Sequence, residues 1–294
     1  MRATIRRNPA RRGIAIIGPG RVGQAMGKLL ARAGFPVLFV AGRRLSAARQ
    51  AARFIGGGRP VRLGARDLAE APVFLVTVSD AALHDVALSL AEHVDRWRGK
   101  IVLHTCGSVG VEVLEPLRRR GAAVGALHPF QTIPSARVGV QNLRGGFWAV
   151  EGDLPARKVA REWVKALEGK SFEVRPSRRT LYHLSAFLVC PTVVTLMDRS
   201  RRLLRRSGVP ARIVRPMLGQ FVGETVRNFV ELGGRKALSG PAVRGDWVTI
   251  RRHLRALRRA APELVPAYRA LLRIMLQLAG REAPRRAKPR RHAP

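Results

Sequence analysis

The stretch from Gly13 to Gly34, "GIAIIGPGRVGQAMGKLLARAG", constrains the fold more than any other in the chain. An apolar run, Ile14 to Ile17, breaks on Gly18-Pro19-Gly20-Arg21-Val22-Gly23 and resumes with helical spacing, which reads as strand, glycine turn and helix. Gly18 permits a tight turn, Gly20 lets a pyrophosphate approach bare backbone, and Gly23 lets the helix pack closely on the strand. The helix N-terminus adds free N–H groups and a partial positive charge. A chance glycine-rich turn is the plain alternative, but the strand before it and the helix after it are both present. The reading is therefore the first βα unit of an open parallel sheet with a cofactor cradle at the strand end.

The following segments repeat the alternation. Val37 to Val40 forms a second strand ending in Ala41-Gly42-Arg43-Arg44-Leu45-Ser46, where an NAD-binding fold places the acid that grips the ribose 2′-hydroxyl. No acid is present. Arg43 and Arg44 could instead clamp a 2′-phosphate, with Ser46 as hydroxyl donor and helix cap, so NADP is expected in preference to NAD. After a short strand at Val61 to Leu63, the apolar run Val73 to Val78 ends in Ser79-Asp80, which caps a helix through His84 to about His93. The carboxyl ends of such strands line the ligand crevice, which puts Thr77, Val78, Ser79 and Asp80 beside the nicotinamide half of the cofactor. Ile101 to Thr105 is the next strand, followed by Cys106, Gly107 and Ser108; Ser108 reads either as part of the crevice or as the cap of the helix carrying Val111, Leu114 and Leu117. A further strand runs into His128-Pro129-Phe130-Gln131-Thr132, and a histidine fixed by a following proline at a strand end is a site candidate. Gly145 to Asp153, Pro155 to Gly169 and Ser171 to Val174 read as strand, helix and strand.

From Arg178 onward the apolar period is near 3.6 with no strand-like alternation, so the second domain is expected to be all-helical. Its helices are read at about 179–207, interrupted and kinked at Pro191, then 211–232, 246–259 and 263–279. The expected organisation is a basic disordered arm over 1–12, an NAD(P)-binding domain over 13–176, a helical domain over 177–280 and a disordered Pro/Arg-rich tail over 281–294.

The formal net charge is +36, from 55 basic against 19 acidic residues, which invites a nucleic-acid reading. Only seven of the 55 are lysine, and the arginines are scattered through every expected helix. Aromatics are 5% with no stacking array among the arginines, so a general arginine bias is favoured over a specific nucleic-acid site. Cys106 and Cys190 have no partner spacing for a disulfide framework or a zinc site, and no metal is expected. The basic start lacks an apolar signal core, and the run Leu184 to Met197 falls short of a membrane span, so a soluble cytoplasmic protein is expected.

The segments "GIAIIGPGRVG", "LVTVSD", "VLHTCGS", "ALHPFQTI", "LYHLSAFLV" and "LSGPAVRGD" resemble, in order and spacing, proteins that pair a Rossmann-like domain with a C-terminal helical domain of unknown function, DUF2520, and are classed as oxidoreductases. More distantly the layout is similar to pyrroline-5-carboxylate reductase, ketopantoate reductase and 6-phosphogluconate dehydrogenase. That resemblance implies an α/β fold, a Rossmann domain with a mostly parallel sheet followed by an all-helical domain that commonly dimerises. The motif residues fall on His128, Pro129 and Gln131, then Tyr182 and His183, then Gly240, Pro241, Arg244, Gly245 and Asp246. One departure is that the family's YHAAA-like run followed by an Asn reads here "YHLSAFLVCPTVV".

Hydride transfer to a carbonyl or imine needs a proton donor beside the nicotinamide, and an imidazole suits that role near neutral pH. His183 and His128 are the candidates, with His183 favoured. Gln131 could orient a substrate carbonyl, and Arg244 with Asp246 could hold a carboxylate; a loop ion pair with Asp246 capping the next helix is the alternative. The expected function is NADP-dependent hydride transfer on a small oxo-, hydroxy- or imino-acid by a homodimer joined through the helical domain. The rival is a non-catalytic dinucleotide-binding sensor or assembly protein.

Overall fold

In the computed structural model, which describes residues 9–282, the apolar runs become eight strands of one sheet. They are β1 (Ile14–Ile17), β2 (Val37–Gly42), β3 (Arg59–Arg62), β4 (Val73–Val76), β5 (Ile101–His104), β6 (Ala123–Pro129), β7 (Phe147–Gly152) and β8 (Lys170–Phe172), in the spatial order β3-β2-β1-β4-β5-β6-β7-β8. The first six run parallel, β7 is antiparallel to β6, and β8 is parallel to β7. The fold is thus α/β with a mostly parallel sheet. The strand order reverses beside β1, which pairs with both β2 and β4, so the crevice of such a sheet opens above Gly18.

The helices of seven or more residues are α1 (Arg21–Arg32), α2 (Leu45–Ile55), α3 (Asp80–His93), α4 (Ala136–Asn142), α5 (Leu154–Ala166), α6 (Arg179–Arg206), α7 (Ala211–Leu232), α8 (Trp247–Ala260) and α9 (Val265–Ala279). Successive strand residues face opposite sides of the sheet, and both sides are covered. Ile14, Ile16, Val73 and Leu75 share a buried cluster with residues of α1, α2 and α5, whereas Ala15, Ile17, Phe74 and Val76 share one with α3 and Trp97. Burial on both faces is why these strands read as unbroken apolar runs.

Several expectations change. The last residues of the arm are ordered: Pro9–Arg12 is a helical turn, with Arg11 3.6 Å from Glu162 and its guanidinium over the Phe35 ring at 4.3 Å. The remainder of the arm, and residues 283–294 of the tail, lie outside the described residues. Helix α2 starts at Leu45, with Arg44 and not Ser46 in the cap position. Helix α4 was not expected; Ser135 caps it by accepting the Val138 N–H at 3.2 Å, but seven residues are too few to show a period. Helix α6 runs uninterrupted through Pro191.

The chain packs as two units that part between Pro191 and Thr192. The first contains the sheet, α1–α5 and the opening turns of α6. In the second, Asp246 caps α8, accepting from the Thr249 N–H at 3.0 Å and the Thr249 hydroxyl at 2.6 Å. Its buried apolar residues include Val214, Ile250, Leu257 and Leu276, yet α7 leaves Phe221 70% and Val230 75% exposed. The helical stretch Pro176–Arg206 is 31 residues long and contains an 18-residue window of mean hydropathy 1.5, so by length and composition alone it is long and apolar enough to cross a membrane, although the run Leu184 to Met197 read by itself is shorter than a span.

Candidate active site

The glycine turn follows from local sterics. Gly18 takes φ +104°, a left-handed conformation, with its Cα facing the Thr77–Val78 backbone. The Thr77 hydroxyl, buried, lies 2.7 Å from the Gly18 carbonyl and 3.2 Å from that of Ile17, and Gln24 donates to the Pro19 carbonyl at 2.8 Å. A Cβ on Gly23 would stand 2.3 Å from the Gly18 carbonyl oxygen, whereas one on Gly20 would meet nothing within 4 Å. Gly20 caps α1 with no side-chain cap bond. The open space at Gly20 and the uncapped N-terminus of α1 together fit the approach of a pyrophosphate.

Beside this turn lies a cleft of about 470 Å³, lined by Gly18, Pro19, Gly20, Gly42, Arg43, Val78 and Ser79 and closed on the α3 side by Ala82 and Asp85. The side chains of the other residues expected at the cofactor are not part of this cleft's lining. Arg21 donates to the Pro134 carbonyl at 3.2 Å, Val22 packs on the core, Gly23 sits under the turn, and Arg44 is exposed at the α2 cap. Asp80 and Ser108 bond to each other, Ser108 donating to the carboxylate. Ser108 is accordingly not a helix cap; Gly110 precedes the 3₁₀ turn Val111–Leu114. Burial alone would raise the Asp80 pKa, but the Ser108 and Cys106 hydrogen bonds and the nearby His183 outweigh it and hold the carboxyl below its usual range.

A cluster of titratable side chains gathers at the ends of β5 and β6, and the first turn of α6 supplies half of it. Arg179, Tyr182 and His183 are spaced i, i+3, i+4 and so share one helix face. Tyr182 Oη and His128 Nδ1 are 2.7 Å apart, and the His128 and His183 ring centroids are 6.5 Å apart. The Tyr182 ring is also boxed by Phe130 and Phe172, at centroid distances of 5.5 and 5.9 Å. Arg179 is buried and ion-paired with Glu151 of β7. Fully buried His104 accepts the Cys106 N–H at Nδ1, 3.1 Å, which leaves its proton on Nε2, and that atom has no partner among the described residues. Burial, reinforced by Arg179, lowers the His104 pKa to about 3; burial, His183 and Arg179 lower that of His128 to about 4. Both imidazoles are neutral at pH 7. Burial pushes the Tyr182 hydroxyl up to about 12 and raises the Cys106 thiol.

His128 and His183 line a second cleft, about 380 Å³, with Phe130, Gln131, Phe187 and Pro191. Gln131 lies in its wall, but its amide is engaged with the loop: Nε2 donates to the Asn142 carbonyl at 3.1 Å and Oε1 accepts the Thr132 N–H at 2.8 Å. Asp246 is engaged as the α8 cap, and its pKa is lowered by the Thr249 hydrogen bonds. Sequence reasoning did not select Arg179, Glu151 or His104. The signal available was the i, i+3, i+4 spacing before the YH pair; Glu151 is distant in the chain from its partner. Chemically, the first-unit arrangement offers an anion-binding helix terminus, a cleft leading from it, and two imidazoles able to exchange a proton with a ligand.

Residues 2–129 match the Rossmann-like domain profile, and residues 146–274 match the domain of unknown function DUF2520. No curated protein sequence matches the chain. Among solved structures, a candidate NADP oxidoreductase from Bacteroides fragilis is 24% identical with a TM-score of 0.74, the match covering 90% of this chain and 98% of that one. A protein from Thermotoga maritima is 18% identical with a TM-score of 0.74, covering 91% and 99%. Plasmodium falciparum pyrroline carboxylate reductase, solved with NADP bound, is 11% identical with a TM-score of 0.59, covering 92% and 99%. The chain thus joins a Rossmann-like domain to a DUF2520 domain, the family pairing that its motifs resemble.

Proposed function

We propose that the protein is an NADP-dependent oxidoreductase that moves a hydride between the nicotinamide and a small oxo-, hydroxy- or imino-acid. The observation that carries this reading is the open Gly20 face at the α1 N-terminus, with His128 at a neighbouring strand end and His183 on α6 at a ring-centroid distance of 6.5 Å. Gly18 to Gly23 would hold the pyrophosphate, Val78 and Ser79 would flank the cofactor, and the nicotinamide, when bound, supplies or receives the hydride. Arg43 on the cleft wall and the absence of an acid at the β2 end support NADP over NAD. His183 and His128 exchange the proton with the substrate heteroatom. Arg244, in the second unit, is kept as a candidate carboxylate-binding residue.

The exposed apolar face of α7 supports a homodimer formed through the helical unit, in which a second copy covers Phe221 and Val230.

The test is NADPH binding by nicotinamide fluorescence, together with NADPH oxidation against 2-oxo acids and cyclic imines. His183→Ala should keep the fluorescence shift and lower turnover by about 10²–10⁴-fold. Loss of binding in that variant would make His183 structural, and sound binding with no turnover across the panel would favour the non-catalytic alternative.

A further inference from the structure

The role of Tyr182 follows from hydrogen-bond accounting around His128. The half-buried Tyr182 hydroxyl has one recorded partner, His128 Nδ1 at 2.7 Å. If the imidazole donated, the phenol hydrogen would have no acceptor among the described residues; if the phenol donates, its hydrogen is satisfied. A neutral imidazole that accepts at Nδ1 carries its proton on Nε2. The face of the ring at Nε2 stacks on Gly107, where a Cβ would come within 2.4 Å of Nε2 and 2.7 Å of both neighbouring ring carbons, so only glycine leaves the ring in this position. The same histidine lines the 380 Å³ cleft. The groups with charge or a titratable proton that act on or are coupled to His128 are Tyr182, His183, Arg179, Asp80 and His104.

We propose that Tyr182 is a positioning residue that recharges His128 during turnover, so that the two side chains form a proton relay between the aromatic box and the cleft. The inference rests on the reductive direction of the reading above. A neutral imidazole is a weak acid at Nε2 unless a proton arrives at Nδ1 as Nε2 gives one up. A bound reduced nicotinamide would supply hydride to the acceptor carbon, and the C=O or C=N π pair would move onto the heteroatom. The His128 Nε2–H bond then breaks toward that heteroatom, and the Tyr182 O–H bond breaks toward Nδ1. His128 stays neutral throughout, in its other tautomer, and the electron pair remains on Tyr182 Oη within the field of Arg179. A proton from water then enters at Nε2 as the Nδ1 proton returns to Tyr182 Oη, which restores both side chains and leaves hydroxide in solvent.

The test needs no substrate. Full-length protein labelled with ¹⁵N-histidine, read by long-range ¹H–¹⁵N correlation at pH 7, should show His128 with a proton on Nε2 and a hydrogen-bonded acceptor at Nδ1. Tyr182→Phe should shift Nδ1 toward an unbonded acceptor and mix the two tautomers, while the His104 pattern stays fixed as an internal check of folding. Replacing Tyr182 by 3,5-difluorotyrosine, which keeps the shape and makes the phenol more acidic, should move the Nδ1 resonance the opposite way, toward protonation. A wild-type proton on Nδ1, or an Nδ1 resonance indifferent to phenol acidity, would overturn the relay. NADPH fluorescence on the same samples reports on the cofactor reading independently: absent binding with an intact His128 signature would sink that reading alone.

Discussion

At the residue scale, the two neutral histidines tie stability to pH. An unfolded histidine titrates near 6.5, whereas burial holds His104 at about 3 and His128 at about 4 in the folded protein. Between those values the unfolded chain binds protons that the folded chain refuses. Stability from this source is therefore complete above pH 6.5 and is lost as pH falls toward 4, by an amount on the order of a few kcal/mol. Urea unfolding at pH 7 and pH 5 checks this. His104→Asn, whose amide oxygen can still accept the Cys106 N–H, should lose less stability across that interval than the wild type; equal losses would remove His104 as a source. His128 and His183 were legible in the sequence because a histidine before proline at a strand end, and one in a recognisable motif, are local signals. The partners that set their chemistry were not. Tyr182 reaches His128 across 54 positions and Arg179 reaches Glu151 across 28, and no local pattern encodes such pairings.

At the scale of elements, the two glycines of the βα turn have separable duties. Gly20 faces open space and Gly23 faces the Gly18 carbonyl and the Thr77 hydroxyl. Gly20→Ala should leave thermal stability within about 0.5 kcal/mol of wild type and, on the proposed cofactor reading, weaken NADPH binding at least about tenfold, because its methyl would stand where that reading brings the phosphate. Gly23→Ala should instead cost about 1–3 kcal/mol of stability by overpacking. Calorimetry and fluorescence titration on both variants distinguish the two, and similar stabilities would contradict the steric assignment. The strands and long helices were legible because burial on both sheet faces writes unbroken apolar runs and half-covered helices write a period. The antiparallel turn of β7 and the short helix α4 were not. Strand direction depends on where the chain re-enters the sheet, and seven residues span barely two helical turns. Pro191 read as a break, but α6 accommodates it, since a proline deletes one N–H without forbidding the turns on either side.

At the scale of the whole molecule, the second unit has few buried apolar residues and a wide exposed face on α7. The proposed homodimer predicts light scattering at twice the chain mass at micromolar concentration. Phe221→Asp combined with Val230→Asp should yield monomer, whereas a wild-type monomer, or a protein soluble only in detergent, would contradict the dimer. The sheet also has a consequence for how such a chain can be inherited. The Rossmann-like match ends at residue 129 and the DUF2520 match begins at 146, yet β7 and β8, which complete the sheet, lie in the second match, and β7 bonds directly to β6 in the first. Glu151 and Arg179, both from the second match, form a buried ion pair whose arginine also reaches the Cys106 carbonyl of the first at 3.5 Å. A recombination event that exchanged one matched region alone would bare the β6 edge and take away the charges packed behind the histidines. The sheet therefore makes the two matched regions structurally interdependent, whatever boundary their separate matches suggest.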